Sequence, residues 1–255
     1  MKHLMIPDIQ AKPGMATDHL THIGQLILHE RPDVIIQIGD FADMHSLSSY
    51  DRGKKCFEGR RFREDIKASD NAMALLLGPM RKYNKKRKIL KRKQYKPRMV
   101  MTLGNHENRI NRAIENAPEL DGAIGVNDLR FREHGWELYD FLVPVEIDGV
   151  TYAHYFTGDF SPHPLGRAHI IMSKHMKSCT AGHKQMLDYF VSQHKINGRR
   201  VQCLIAGAAY AHDEGYRTPQ GQDHFRGVVV KHDVLEGEYD PHFISLESLA
   251  RRYGA

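Results

Sequence analysis

The chain has 255 residues, 41% of them hydrophobic and 27% charged, an ordinary globular composition that can bury a sizeable core as one large α/β domain or two small ones. Three cysteines without C-x-x-C spacing argue against a disulfide framework and a zinc ribbon and fit a reducing cytosol; the first apolar run stops at Asp8, too short for a signal peptide, and no run approaches the roughly 20 residues of a membrane span. The net charge of +6 is local, because residues 81–98 carry 11 Lys and Arg and no acid, leaving 26 basic against 31 acidic residues elsewhere.

In chain order, "HLMIP" reads as a short strand. Thr17 is placed to cap a helix that carries Leu20, Ile23, Leu26 and Ile27 at helical spacing and ends at Pro32. "DVIIQIGD" is a buried strand, so the opening is a βαβ unit with parallel strands and a right-handed crossover. A second helix is predicted from about Arg63 through Leu77, continuing past Pro79 into the basic segment as a lysine-rich arm. "MVMTL" is the next strand and "NRINRAIENA" the next helix, ended by Pro118. From about residue 138 the texture turns β-rich, with a hairpin signal at Asp148-Gly149 and later strands in "VQCLIAGAA" and "RGVVVKHDV"; "HFISLESL" closes the sequence. There is no internal repeat and no Ser/Gly/Pro-rich linker, so residues 1–255 are read as a single α/β domain with 81–98 as an arm or insertion.

The residues at the ends of these apolar runs are more specific. Asp8 and Gln10 come after the first, Asp40 and Asp43 after the second, and Asn105, His106 and Glu107 after the third; His154 sits within "VTYAHYF", and His183 and Gln185 come after "SCTAG". Ligands bind open α/β sheets at the C-terminal strand ends. Carboxylates, an amide oxygen and imidazoles converging there suit Mn²⁺, Fe²⁺ or Zn²⁺. P-loop, G-x-S-x-G and H-E-x-x-H signatures are absent.

The order D-x-Q, G-D-x-x-D, G-N-H-E, H, G-H-x-Q resembles the calcineurin-like metallophosphoesterase superfamily, over residues 8–185. The tract from "GDFADMHSLSSYDRGKKCFEGRRF" onward also looks like that of phage-encoded members, which would place the protein in a host cytoplasm. The resemblance implies a two-sheet β-sandwich flanked by helices and a two-metal site. By position, Asp40 would bridge the ions. Asp8, Gln10 and Gln185 would complete one site, and Asn105, His154 and His183 the other. His106 would act on the transferring phosphoryl group or its leaving oxygen, with Asp43 fixing its ring, and the ions would activate a bridging water. Two glutamines replace the usual histidines. They make the first site all-oxygen and favour Mn²⁺ or Mg²⁺ over Zn²⁺ or Fe, as in the D-x-Q diphosphatases of the superfamily, or leave it weak.

Glu107 is expected to support the N-terminus of the following helix. Arg109 lies on a helix face that meets either solvent or substrate. The loop 156–169 offers His163 and Arg167 as candidates to line a substrate cleft, against an ordinary surface loop. In the basic run, Lys85, Lys86, Lys91 and Lys93 suit a phosphate backbone, with Tyr83 and Tyr95 available to stack on bases; the alternative is a solvated helix face. The resulting expectation is a Mn²⁺-preferring phosphodiesterase acting on nucleic acid or nucleotides. Its rivals are a phosphomonoesterase of nucleotides, DNA ends or phosphoproteins, and a weakly active DNA-binding accessory subunit.

Overall fold

The computed structural model of the chain describes residues 1–213 and 224–254. In chain order its strands are β1 (His3–Ile6), β2 (Val34–Gln37), β3 (Arg98–Thr102), β4 (Glu137–Tyr139), β5 (Val145–Ile147), β6 (Val150–Tyr152), β7 (Thr157–Gly158), β8 (Ser161–Pro164), β9 (Cys179–Ala181), β10 (Leu187–Val191), β11 (Gln202–Ala206), β12 (Gly227–Leu235) and β13 (Glu238–Ser245). The α-helices are α1 (Asp18–Glu30), α2 (Phe62–Ile89), α3 (Arg109–Asn116), α4 (Ala168–His175) and α5 (Leu246–Tyr253). No helix among the described residues is long and apolar enough to cross a membrane.

Two sheets face each other between layers of helix. The first has the order β13-β12-β1-β2-β3-β4, with β1 to β4 parallel and β12 and β13 antiparallel. The second has the order β10-β11-β9-β6-β5. Alternation along each strand sorts the core, as a period of two requires. Leu4, Ile6, Ile35, Val228 and Val230 pack with Leu20, Ile23, Leu76 and Leu77 of α1 and α2, whereas Met5, Val34, Ile36 and Val229 meet Tyr152 and Leu204 of the second sheet. The predicted α/β architecture is present, and the Asp148-Gly149 hairpin turns with φ of 49° and 80°, the double positive φ of a type I′ turn.

Residues 81–98 do not form a free arm. α2 runs through Pro79 to Ile89, Lys91 reverses the chain at φ 51°, and the return leg is pinned to the helix. The Asn84 amide donates to Tyr95 O and accepts from Tyr95 N, and Arg87 Nε donates to Lys93 O. The Tyr95 hydroxyl donates to Pro32 O, and the Arg31 guanidinium lies 4.2 and 4.9 Å from the ring centroids of Tyr83 and Tyr95. The two tyrosines expected to stack on bases therefore hold the segment against the start of β2.

Glu107 also departs from expectation. It does not serve α3; it is fully buried and accepts from the backbone N–H of Asp40 (3.0 Å), Ala42 (2.8 Å) and Gly104 (2.8 Å). It thereby ties the loop after β2 to the loop after β3. In turn Asp40 O accepts from Ile9 N and Gln10 N, bringing in the loop after β1. Replacing Glu107 by Ala leaves three buried donors without an acceptor, and at about 1–3 kcal/mol per donor urea unfolding should show a loss of at least ~3 kcal/mol. Glu107→Gln, which keeps one acceptor oxygen, should lose less; an Ala variant as stable as wild type would refute the clamp.

Candidate metal centre

The strand ends of both sheets converge. Asp8 and Gln10 follow β1, Asp40 and Asp43 follow β2, Asn105 and His106 follow β3, His154 follows β6, and His183 and Gln185 follow β9. Gln10, Asp40, His183 and Gln185 have φ of 50°, 52°, 63° and 57°. Non-glycine residues in this left-handed region cost on the order of 1–3 kcal/mol each and persist only where the surroundings over-determine them. The glycines before Asp40 and Asn105 are required by close approach. A Cβ on Gly39 would lie 2.6 Å from His154 Nδ1, and one on Gly104 would collide with the Asp40 carboxylate.

His154 Nδ1 lies 2.9 Å from Ile38 O, to which it can donate, so Nε2 is turned inward, 2.9 Å from Asn105 Oδ1 and 3.3 Å from Asp40 Oδ2. His183 Nδ1 lies 2.8 Å from the same Asn105 oxygen. The donor atoms of Asp40, His154 and His183 all fall within 4.8 Å of one another. An ion about 2.1 Å from tetrahedral ligands would hold them roughly 3.4 Å apart, so small shifts would seat it. The donors fit a divalent metal.

The neighbouring set is Asp8, Gln10 and Gln185, all buried. Both amide atoms of Gln10 are buried without a hydrogen-bond partner. A polar group in that position normally costs about 1–3 kcal/mol, and a cation at Oε1 would relieve it. Asp8 accepts from His183 N (3.1 Å) and from Gln185 Nε2 (3.4 Å), while Gln185 Oε1 accepts from the Tyr210 hydroxyl (3.0 Å). Gln185 thus shows Asp8 its N–H₂ end; offering oxygen to an ion takes a half-turn of the amide, with Tyr210 becoming the acceptor.

His106 stands beside these ligands. Its backbone N–H donates to Asp40 Oδ1 (2.9 Å), its Nδ1 lies 2.9 Å from Asp43 Oδ1, and its Nε2 lies 3.7 Å from Asp40 Oδ2. Arg109 is engaged within the site, on its Asp43 and His106 side, and is not a freely solvated helix face. It donates from Nη1 to Asp43 O (2.7 Å) and Oδ1 (3.0 Å) and places Nη2 3.1 Å from His106 Nε2. Lys12, not singled out from the sequence, reaches Asp43 at 3.5 Å, and the Tyr155 ring lies tilted against His183, with centroids 4.8 Å apart. Tyr210 lies beyond the last motif, which left no signal in the sequence for its part in holding Gln185. His163 is exposed on β8, and Arg167 lies 3.9 Å from Asp188; among the described residues neither makes a hydrogen bond or ion pair with the ligand cluster. Lys85, Lys86, Lys91 and Lys93 are exposed on the basic segment, at the N-terminal ends of β2 and β3.

The buried charges perturb one another strongly. Burial, then the nearby Asp40 charge, pushes Asp8 up to about 7. Burial would also raise Asp40, but His106 and His154 hold it below the usual carboxylate range. Burial alone would lower His154, and Asp40 overrides it, lifting the ring to about 9; His183, beside His154, is brought down to about 4 by burial and that neighbour. His106 is raised by Asp40 and Asp43 against its burial.

These shifts couple metal binding to protons. Ligation requires Asp8 ionised and His154 Nε2 unprotonated. Below about 7 both carry a proton that the ion must displace, and between about 7 and about 9 only His154 does. Mn²⁺ affinity should therefore rise with pH, most steeply below 7 and more gently up to 9. Calorimetry in buffers of different ionisation enthalpy should show proton release at pH 6 exceeding that at pH 8. A pH-independent affinity would place the ion elsewhere, and Asp40→Asn should abolish the uptake.

A scan against protein-family models and a search of curated proteins return no match. Among solved structures the chain is similar to wild-type Vps29 of Entamoeba histolytica complexed with Zn²⁺, at 11% identity and TM-score 0.40, covering 96% of this chain and 99% of that one. It is also similar to a single mutant of the same protein, at 12% identity and TM-score 0.36 with the same coverage. The chemistry of the site rests on its own side chains.

Proposed function

We propose that this protein is a divalent-metal-dependent phosphoester hydrolase that works with two ions, Mn²⁺ preferred, and favours diesters of nucleotides or nucleic acid. One observation carries the reading: an imidazole, His106, is held between Asp43 and Asp40 at the rim of a buried cluster of metal-type ligands. Asn105, His154 and His183 would hold one ion, Asp8 and Gln10 the other, with Asp40 between them and Gln185 joining after its amide turns. The ions would supply a water of lowered pKa, orientation of the phosphate and charge neutralisation in an in-line displacement.

The chain's own residues supply the rest. Asp43 anchors the Nδ1 side of His106, leaving Nε2 as the atom that meets the leaving oxygen. Arg109, a donor only, faces Nε2 when the ring is neutral; the leaving oxygen takes its place when the ring is protonated. Asp40 draws a proton toward His106 and receives its backbone N–H, so the two are fixed relative to each other. Arg109 and Lys12 are both engaged with Asp43, which spends their charge before substrate arrives. That supports a singly charged diester over a doubly charged monoester. The basic segment lends no support to a polymer in this site, because it packs at the other end of the strands. The engagement of Gln185 with Tyr210 favours one rival, a binding protein of feeble turnover whose first site fills poorly.

Turnover of bis-p-nitrophenyl phosphate beside p-nitrophenyl phosphate, with Mn²⁺ present, is the deciding assay. Faster diester cleavage is expected, monoester preference would make it a phosphomonoesterase, and no turnover with bound metal would make it a binding protein. His106→Ala should slow cleavage by roughly 10²- to 10⁴-fold with metal content unchanged, and loss of metal in that variant would make His106 a ligand instead. Gln10→His/Gln185→His should bind Zn²⁺ or Fe²⁺ more tightly at the first site and shift the metal preference of turnover away from Mn²⁺; unchanged affinity and preference would remove both glutamines from the ligand set.

A further inference from the structure

The basic segment and the metal centre occupy opposite ends of the molecule. All ligands follow the C-terminal ends of their strands, whereas residues 81–97 lead into the first residue of β3 and pack on the start of β2 through Tyr95 and Arg31. α2 measures the separation. Asp65, near its start, accepts from Ser46 N on the metal side, and Lys85 lies twenty residues further along the same helix, about 30 Å at 1.5 Å per residue. The Debye length at physiological ionic strength is about 8 Å, so this charge is screened from the site.

The fold has no use for so much like charge. Of the 11 Lys and Arg in the segment only Arg98 has a carboxylate partner, Glu137, among the described residues. The exposed pairs Arg81–Lys85 and Lys82–Lys86 stand at i,i+4 on one helix, where like charges cost about 0.2–0.5 kcal/mol each. Yet the segment is rigidly built, with the Asn84 and Arg87 hydrogen bonds fixing the return leg. An exposed cluster of cations without carboxylate partners, carried on a segment pinned to the fold, fits a polyanion. Duplex DNA carries one charge per roughly 1.7 Å of axis. An anionic membrane would exploit the exposed Ile89 and Leu90 at the turn, but the segment's two aromatic rings, which would anchor an interface, are turned inward around Arg31.

We propose that this end of the protein is a docking surface for the phosphate backbone of duplex DNA, sequence-indifferent and separate from the metal centre. It holds the protein on DNA without placing the bound stretch in the site. Binding is independent of whether the metal centre hydrolyses phosphoesters, so the test uses no turnover.

Anisotropy of a labelled 20-base-pair duplex, titrated with metal-loaded protein at several salt concentrations, is the measurement. Lys85→Glu/Lys86→Glu/Lys91→Glu/Lys93→Glu should weaken binding at least tenfold and make the log–log salt slope shallower by about 3 to 4, at ~0.9 for each phosphate no longer neutralised. Substituting the same four lysines by arginine should preserve both. Mn²⁺ affinity of the wild type should agree within twofold with and without saturating duplex. Equal affinity and slope for the glutamate variant would overturn the proposal, as would a change of Mn²⁺ affinity with DNA that is the same in the wild type and the glutamate variant while their DNA affinities agree, which would place the duplex on the metal centre alone. Binding to phosphatidylserine vesicles but not to DNA would overturn it in favour of a membrane.

Discussion

One buried carboxylate holds the candidate metal end of this molecule in shape. Glu107 accepts from the backbone of both the loop after β2 and the loop after β3. Burial and the Asp40 charge press against its ionisation, while the amide donors favour it. The left-handed backbone of Asp40 persists because its N–H and C=O are both claimed, by Glu107 on one side and by Ile9 and Gln10 on the other. His106 is placed through the same frame, since its N–H rests on the Asp40 carboxylate. Ligand geometry is thus imposed by directional hydrogen bonds to the main chain.

The frame gathers charges that would otherwise repel. Burial and the Asp40 charge raise Asp8's cost of ionisation, and His154, holding a proton, offsets part of it. The orphaned amide of Gln10 adds an unpaired acceptor to the same volume. Perturbed groups of opposite sense cluster at functional sites.

That these residues would come together was legible in the sequence, because all but His154, which sits within an apolar run, follow one, and the chain threads parallel strands whose ends must lie together. Local motif order therefore carried three-dimensional information. The roles of Glu107 and Arg109 were not legible. A glutamate three residues beyond a glycine has the same local signature whether it serves a helix or crosses to another loop, and only the register of β2 on β3 decides it. The partners of Lys12 and Tyr210 were hidden for the same reason. In the basic run composition dominated the reading. The two tyrosines looked available for stacking, but Arg31, far upstream of both, had the prior claim. The strand β10 also gave little sign, its residues "LDYFV" being only half buried and paired on one side.

The position of β1 has a consequence for how the protein is made. This strand lies inside the first sheet, with β2 on one side and β12 on the other, His3 opposite Lys231. The first neighbour follows it within one helix; the second is drawn from the far part of the chain. During vectorial synthesis β1, β2 and β3 can pair while the outer edge of β1 still presents its unpaired N–H and C=O groups, and the face of Met5 still lacks Val229. Such an edge is a template for another chain, and closing it waits on a pairing of high sequence separation, the slow class in folding. The β12–β13 hairpin therefore acts as the seal on a nascent intermediate, and the interval before it arrives is when the protein is most exposed to self-association.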